Sequence, residues 1–156
     1  MSAQFYPMPM FVRLAVADVE ATKQWFHAVL EFDSVFDIPH TMAHLRGRRY
    51  QDVLIVKGEV PEPAGQGVTL SFTWNQAVDE IVPRLKAVGG KIVDGPVDRP
   101  WNARELVIED PNGYRMSFSQ QIANKEFAEV MSEVGAEKQG EGPSTPPHSG
   151  SAQDDK

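Results

Sequence analysis

An internal repeat constrains this chain more than any other feature. Val12, Leu14 and Val16 alternate along one short segment, and Val68, Leu70 and Phe72 alternate in the same way, an offset of 56 residues (12 to 68). Each set precedes one amphipathic helical segment and then several short β-type runs. Duplication of a strand–helix–strands unit is the economical reading of such self-similarity. Neither half alone covers both faces of a four-stranded sheet, so the halves are expected to pair, within the chain or across a dimer.

In the first half, Phe11 to Val16 is short and alternating, which suits a strand. Asp18 stands at a helix N-cap, with Glu20 in the first turn. Thr22, Trp25, Phe26, Val29 and Leu30 then share one helical face. Val35–Ile38, Thr41–Leu45 and Asp52–Val56 read as strands, punctuated by Pro39 and by Gly47-Arg48. Pro61 to Gly67 is a Pro/Gly linker. Beyond it Val68 to Trp74 alternates, and Val78, Ile81, Val82, Leu85 and Val88 follow at helical spacing until Gly89-Gly90. Pro83 is tolerated there if the helix begins near Asp79, because only its first turn can spare an N–H. Lys91–Val93, Arg104–Glu109 and Tyr114–Ser119 are the remaining strands, with Asp110-Pro111-Asn112-Gly113 as a hairpin turn.

The expected architecture is therefore α+β. Residues 1–124 form one domain of two βαβββ modules, about 8–60 and 67–121, with curved, cup-like mixed sheets. A C-terminal helix covers 125–134, with Phe127, Val130, Met131 and Val134 on one face. The segment 135–156 has no large apolar residue and is expected to be disordered, since it cannot offset its ordering entropy. The chain carries a net charge of −7; from Lys125 onward there are seven acidic residues against three lysines, so the acidity is largely a property of the tail. That balance argues against nucleic acid, which needs clustered Lys and Arg. There is no cysteine, which removes disulfides, thiolate metal sites and Cys nucleophiles together. No stretch approaches the roughly 18 apolar residues of a membrane span, and the first ten residues lack a signal pattern. A cytoplasmic location is the expectation.

Three segments carry a family resemblance. Glu105 to Phe118, with its Asp110-Pro111-Asn112-Gly113 turn, is similar to the last hairpin of the vicinal-oxygen-chelate superfamily, which includes glyoxalase I, bleomycin-resistance proteins and extradiol dioxygenases. Val16-Ala17-Asp18 followed by Trp25-Phe26 resembles its first strand-to-helix junction, and Leu85 to Gly90 resembles the end of its second helix. Order and spacing agree from Phe11 to Gln120. The resemblance implies a metal in the cup, held by His, Gln or Glu at four strand positions. Here those positions fall on Phe11 and Ser117, and near Thr69 and Ile55. None is His, Asp or Glu; a phenyl ring cannot ligate and a neutral Ser is a poor ligand for a divalent ion. His40 and His44 lie four apart on a strand, about 13 Å, too far to share an ion. No metal and no cofactor are expected.

No other catalytic constellation is present. Gly65-Gln66-Gly67 leads into a strand rather than a helix, so it is not a phosphate loop, and no serine sits in a nucleophile elbow. What the cup offers is aromatic, apolar and lightly basic: Phe11, Arg13, Arg49, Trp74, Trp101, Arg104 and Ser117 are the candidate ligand-binding residues. Such surfaces suit a flat or hydrophobic small molecule. The leading expectation is a metal-free binding protein of the bleomycin-resistance type, a homodimer that sequesters an aromatic or cationic compound such as an antibiotic. The alternative is a metal-dependent lyase, isomerase or dioxygenase of the same superfamily with displaced ligands.

Overall fold

Alternation along the first strand decides where the core lies. In β1 (Val12–Val16), Leu14 and Val16 are buried while Arg13 is exposed and Ala15 half-buried on the other face. The computed structural model describes residues 7–48 and 50–140, the last four by backbone alone. After β1 come α1 (Val19–Leu30), β2 (Asp33–Ile38), β3 (Met42–Arg46) and β4 (Asp52–Lys57). The second module repeats the plan with β5 (Thr69–Thr73), a 3-10 turn (Val78–Glu80), α2 (Ile81–Ala87), β6 (Lys91–Arg99), β7 (Ala103–Glu109) and β8 (Arg115–Gln121). The strand orders are β1-β4-β3-β2 and β5-β8-β7-β6, so the two sheets are topological copies. In each, the first strand runs parallel to the last and all other pairings are antiparallel.

Local chemistry explains the helices. The Asp18 side chain accepts the Ala21 N–H at 3.0 Å and caps α1, and Glu31 closes it in the left-handed region at φ 58°. Pro83 sits in the first turn of α2, where its missing N–H costs little. The helix-facing residues of both modules form one continuous core. Phe26, Phe32, Phe72 and Phe118 link across it, with Phe32 edge-on to Phe72 at 5.9 Å and Phe72 stacked on Phe118 at 5.3 Å.

Polar contacts lock the modules together with approximate two-fold logic. The turn before β8 reaches the end of β1: the Tyr114 hydroxyl donates to the Ala15 carbonyl at 2.8 Å, and the Ala17 N–H donates to Asn112 Oδ1 at 3.1 Å. The turn before β4 reaches the end of β5, where Gln51 Nε2 donates to the Thr73 carbonyl at 2.6 Å. Arg84 on α2 ties the helices by donating to the Val29 carbonyl at 3.0 Å.

Two expectations change. β6 was expected to stop at Val93, yet it continues to Arg99. Register shifts between Ile92 and Asp94, and again between Asp94 and Val97, break the alternation that would have revealed it. Gly95 makes this possible: its φ is +79°, and a Cβ there would run into the Glu105 carbonyl oxygen. The terminal helix, α3 (Phe127–Gly140), runs past Val134 into the segment expected to lack structure. The apolar spacing ends at Val134, but Ala136, Glu137 and Lys138 are good helix formers and carry the backbone on. Residues 141–156, the rest of the expected tail, lie outside the described residues.

Candidate functional site

The seam between the two sheets opens into a cavity of about 460 Å³. Three chain segments wall it: Met10, Phe11 and Val12 at the start of β1; Tyr50, Gln51 and Asp52 at the start of β4; and Leu70 to Thr73 along β5. The size is that of a small-molecule site. Its apolar surface comes from Met10, Phe11, Leu70 and Phe72, and the hydroxyls of Ser71 and Thr73 stand among them.

The acid at its edge is already neutralised. Asp52 is the first residue of β4 and its side chain is fully buried. Arg46, opposite it in the β3–β4 register, donates twice: Nε to Oδ1 at 2.8 Å and a terminal nitrogen to Oδ2 at 2.7 Å. His44 Nε2 approaches Oδ2 at 2.6 Å from the neighbouring position on β3. The bidentate Arg–carboxylate geometry is what makes a buried charge tolerable. Phe11 lies over this cluster, its ring 5.5 Å from that of His44. Among the described residues the lining offers an aromatic face and hydroxyls, and its carboxylate, Asp52, is already paired, so it is suited to holding a molecule by shape and stacking.

The expected site residues separate into groups. Phe11 lines the cavity, and Ser117 stands opposite Ser71 in the β5–β8 register, on the same outward-facing side of the sheet. Arg13 is exposed on the outward face of β1 and does not line the cavity. Trp74 is only 2% exposed; it packs edge-on to Phe118 at 5.1 Å with the Arg48 guanidinium 5.6 Å from its ring centre. Trp101 lies in the tight β6–β7 turn, half exposed, donating Nε1–H to Glu105 Oε1 at 2.8 Å. Arg104 shares the parity of the buried Leu106 and Ile108, on the helix side of β7, and pairs with Asp79 at 2.7 Å and Asp98 at 2.8 Å. Those partners raise its pKa, and the Arg104 hydrogen bond holds the Asp79 carboxyl below its ordinary value. Arg49 lies outside the described residues.

Sequence reading missed Gln51, Asp52 and Ser71 as cavity residues, and the His44–Asp52–Arg46 cluster with them. A signal was present: His44 and Arg46 are two apart on one strand, and the turn at Gly47 brings Asp52 back opposite Arg46. Reading it required the hairpin register, which the sequence leaves open.

The metal that the superfamily resemblance implies does not fit these residues. Ser117 and Thr69 face outward as such positions require, but Ile55 is fully buried on the helix side and leaves that register to Leu54. A donor set of Phe, Ser, Thr and Leu lacks the carboxylates and imidazoles that divalent ions require. Among the described residues no three His, Cys, Asp or Glu side chains converge to hold one elsewhere.

The model of the Glyoxalase/Bleomycin resistance protein/Dioxygenase superfamily matches residues 10–118. The chain belongs to that superfamily. The match spans both modules and ends within β8. A virulence protein of Salmonella typhimurium is 25% identical over 116 residues, covering 70% of this chain and 81% of that protein. Among solved structures, the fosfomycin resistance protein FosX of Listeria monocytogenes, complexed with Mn(II) and sulfate, superposes with a TM-score of 0.64 at 14% identity, over 78% of this chain and 95% of that one. A possible glyoxalase from Bacillus cereus gives 0.57 at 21% identity, over 70% and 95% of the two chains. At these identities the solved structures show the shared fold alone. Among the described residues no helix is long and apolar enough to cross a membrane.

Proposed function

We infer that this chain is a metal-free small-molecule binding protein of the glyoxalase/bleomycin-resistance fold. It would act in the cytoplasm as a homodimer and sequester an aromatic or cationic compound such as an antibiotic. The observation that carries this reading is the seam cavity itself: about 460 Å³, walled by Met10, Phe11, Leu70 and Phe72, with Asp52 at its rim already paired to Arg46 and His44. That lining favours an aromatic ligand over a cationic one, because stacking on Phe11 is available while the Asp52 charge is not.

The competing reading is a metal-dependent enzyme, and the Mn(II) in FosX is its support. The two part on one measurement. Protein purified from its source cell should carry less than a tenth of an equivalent of Zn, Ni, Mn or Fe by elemental analysis. Native mass spectrometry should find an organic molecule bound, and that molecule should be lost from a Phe11→Ala variant that still folds. Close to one metal ion per chain would overturn the binding-protein reading.

A further inference from the structure

Hydroxyls crowd the outward face of the second sheet. Register puts Ser71, Ser117, Val107 and Asp94 in one row across β5, β8, β7 and β6, and Thr73, Ser119, Glu105 and Val97 in the next. Ser71 and Thr73 also line the seam cavity. Their hydroxyls, and those of Ser117 and Ser119 on the adjacent strand, make no hydrogen bond among the described residues. A Ser or Thr hydroxyl both donates and accepts, so this wall offers both roles without charge.

An aromatic ring borders the second row. Trp101 donates Nε1–H to Glu105 Oε1 at 2.8 Å, which holds the indole on the outward side of β7. The Arg99 guanidinium lies over the ring, 6.0 Å from its centre; it approaches the Glu105 carboxylate at 3.4 Å and pairs with Asp94. The ring is thus pinned at its edge and on one face, yet Trp101 remains 49% exposed. A fixed, half-exposed indole beside polar groups that hold one another still suits a molecule with an apolar C–H face and polar edges. From β5 to β7 is two strand spacings, about 10 Å. One bound molecule can therefore touch Ser71 and Thr73 at the cavity and Trp101 at the sheet's other side.

We propose that this face is a subsite for a neutral sugar, and that the compound the chain holds is a glycosylated aromatic. The aromatic part sits in the seam cavity against Phe11. The sugar lies over β5 and β8, hydrogen-bonded by Ser71, Thr73, Ser117 and Ser119, with its C–H face on Trp101. A sugar is the occupant because its hydroxyls donate and accept as the wall's do, while its ring carries the apolar face that an indole takes. An anion is disfavoured because Arg99 is held by Asp94 and Glu105. A cation is disfavoured because those two acids are held by Arg99 in turn. This rests on the binding-protein reading proposed above and adds the class of molecule bound.

Calorimetric titration of the full chain tests this. The probes are p-nitroanisole, 4-nitrobenzylamine, and the p-nitrophenyl α-glucoside, β-glucoside, β-galactoside and α-mannoside. At least one glycoside should bind about tenfold more tightly than p-nitroanisole, the gain expected from one or two well-placed polar contacts, and 4-nitrobenzylamine should show no such gain. Trp101→Ala should remove most of the glycoside's gain, Ser117→Ala should reduce it severalfold, and Phe11→Ala should weaken glycoside and p-nitroanisole alike. Ser117 and Trp101 are both outside the core, and thermal melts of the variants confirm that each is folded. Glycosides that bind no better than p-nitroanisole, or a gain that survives both Trp101→Ala and Ser117→Ala, would overturn the sugar subsite and leave the aromatic-binding reading standing. Tighter binding of 4-nitrobenzylamine than of every glycoside would overturn the subsite in favour of a cationic ligand. No binding of any probe would overturn the subsite and the aromatic-binding reading together.

Discussion

Asp52 and His44 face each other across the β3–β4 hairpin with Oδ2 and Nε2 at 2.6 Å, while Arg46 grips the same carboxylate from the other side. This places a paired charge at the rim of an otherwise apolar cavity. Removing the acid leaves the cation: the Arg46 side chain is 9% exposed. Asp52→Ala should therefore cost about 3–5 kcal/mol, the usual penalty for breaking a buried pair. His44→Ala should cost less, about 1 kcal/mol, because Arg46 still neutralises Asp52. Urea unfolding of the two variants checks the order, and equal effects would mean that Asp52 is not the centre of the cluster.

Trp74 and Trp101 are both tryptophans at strand ends, with opposite fates. Trp74 is buried against Phe118, so Trp74→Ala should cost about 3–5 kcal/mol. Trp101 is half exposed in a turn and held by one hydrogen bond to Glu105, so Trp101→Ala should change stability by about 1 kcal/mol or less. Thermal melts of both variants decide this. A Trp101→Ala variant that melts as early as Trp74→Ala would show that the turn is part of the core.

Gly95 is the position where β6 bends against β7. Gly95→Ala should destabilise by more than about 1 kcal/mol, since it combines a positive φ with a clash against the Glu105 backbone. The effect should appear as faster amide exchange in β6 and β7 before global unfolding. Unchanged exchange there would mean the bulge relaxes without cost.

Asp110 supplies a pH dependence. It is 5% exposed, and burial pushes its carboxyl above the ordinary 3.8, although Asn112 and the Tyr114 N–H bond to it. An acid whose pKa rises on folding stabilises the native state fully below its unfolded value. That contribution is lost as pH rises through the folded value. Asp110→Asn keeps an oxygen for the Asn112 and Tyr114 N–H groups and removes the titration. The stability of wild type relative to Asp110→Asn should therefore fall as pH rises from just below 3.8 into the mildly acidic range, then level off. Denaturant unfolding across that range tests it, and a difference that grows with pH would reverse the sign.

Much of the fold was legible in the sequence because its signals are local. The alternation of Val12, Leu14 and Val16, its recurrence at Val68, Leu70 and Phe72, and the cap at Asp18 each depend on neighbours a few residues away. They determined the element order and the duplicated modules. The resemblance to the superfamily also put Phe11 and Ser117 at positions where it implies metal ligands. The length of β6 was hidden because two register shifts cancel its periodicity, and the reach of α3 because helix propensity continues after the apolar stripe ends. The cavity was beyond local reading altogether. Its walls come from residues 10–12, 50–52 and 70–73, brought together by β1–β4 pairing and by the Gln51 bond to the β5 backbone. Parity assigned Arg104 to the helix side, and packing put Trp74 in the core, once register and sheet order were set. The sequence by itself determined which elements form and in what order. Tertiary structure alone decided which side chains meet, because strand register and the seam between modules arise from pairings between segments tens of residues apart.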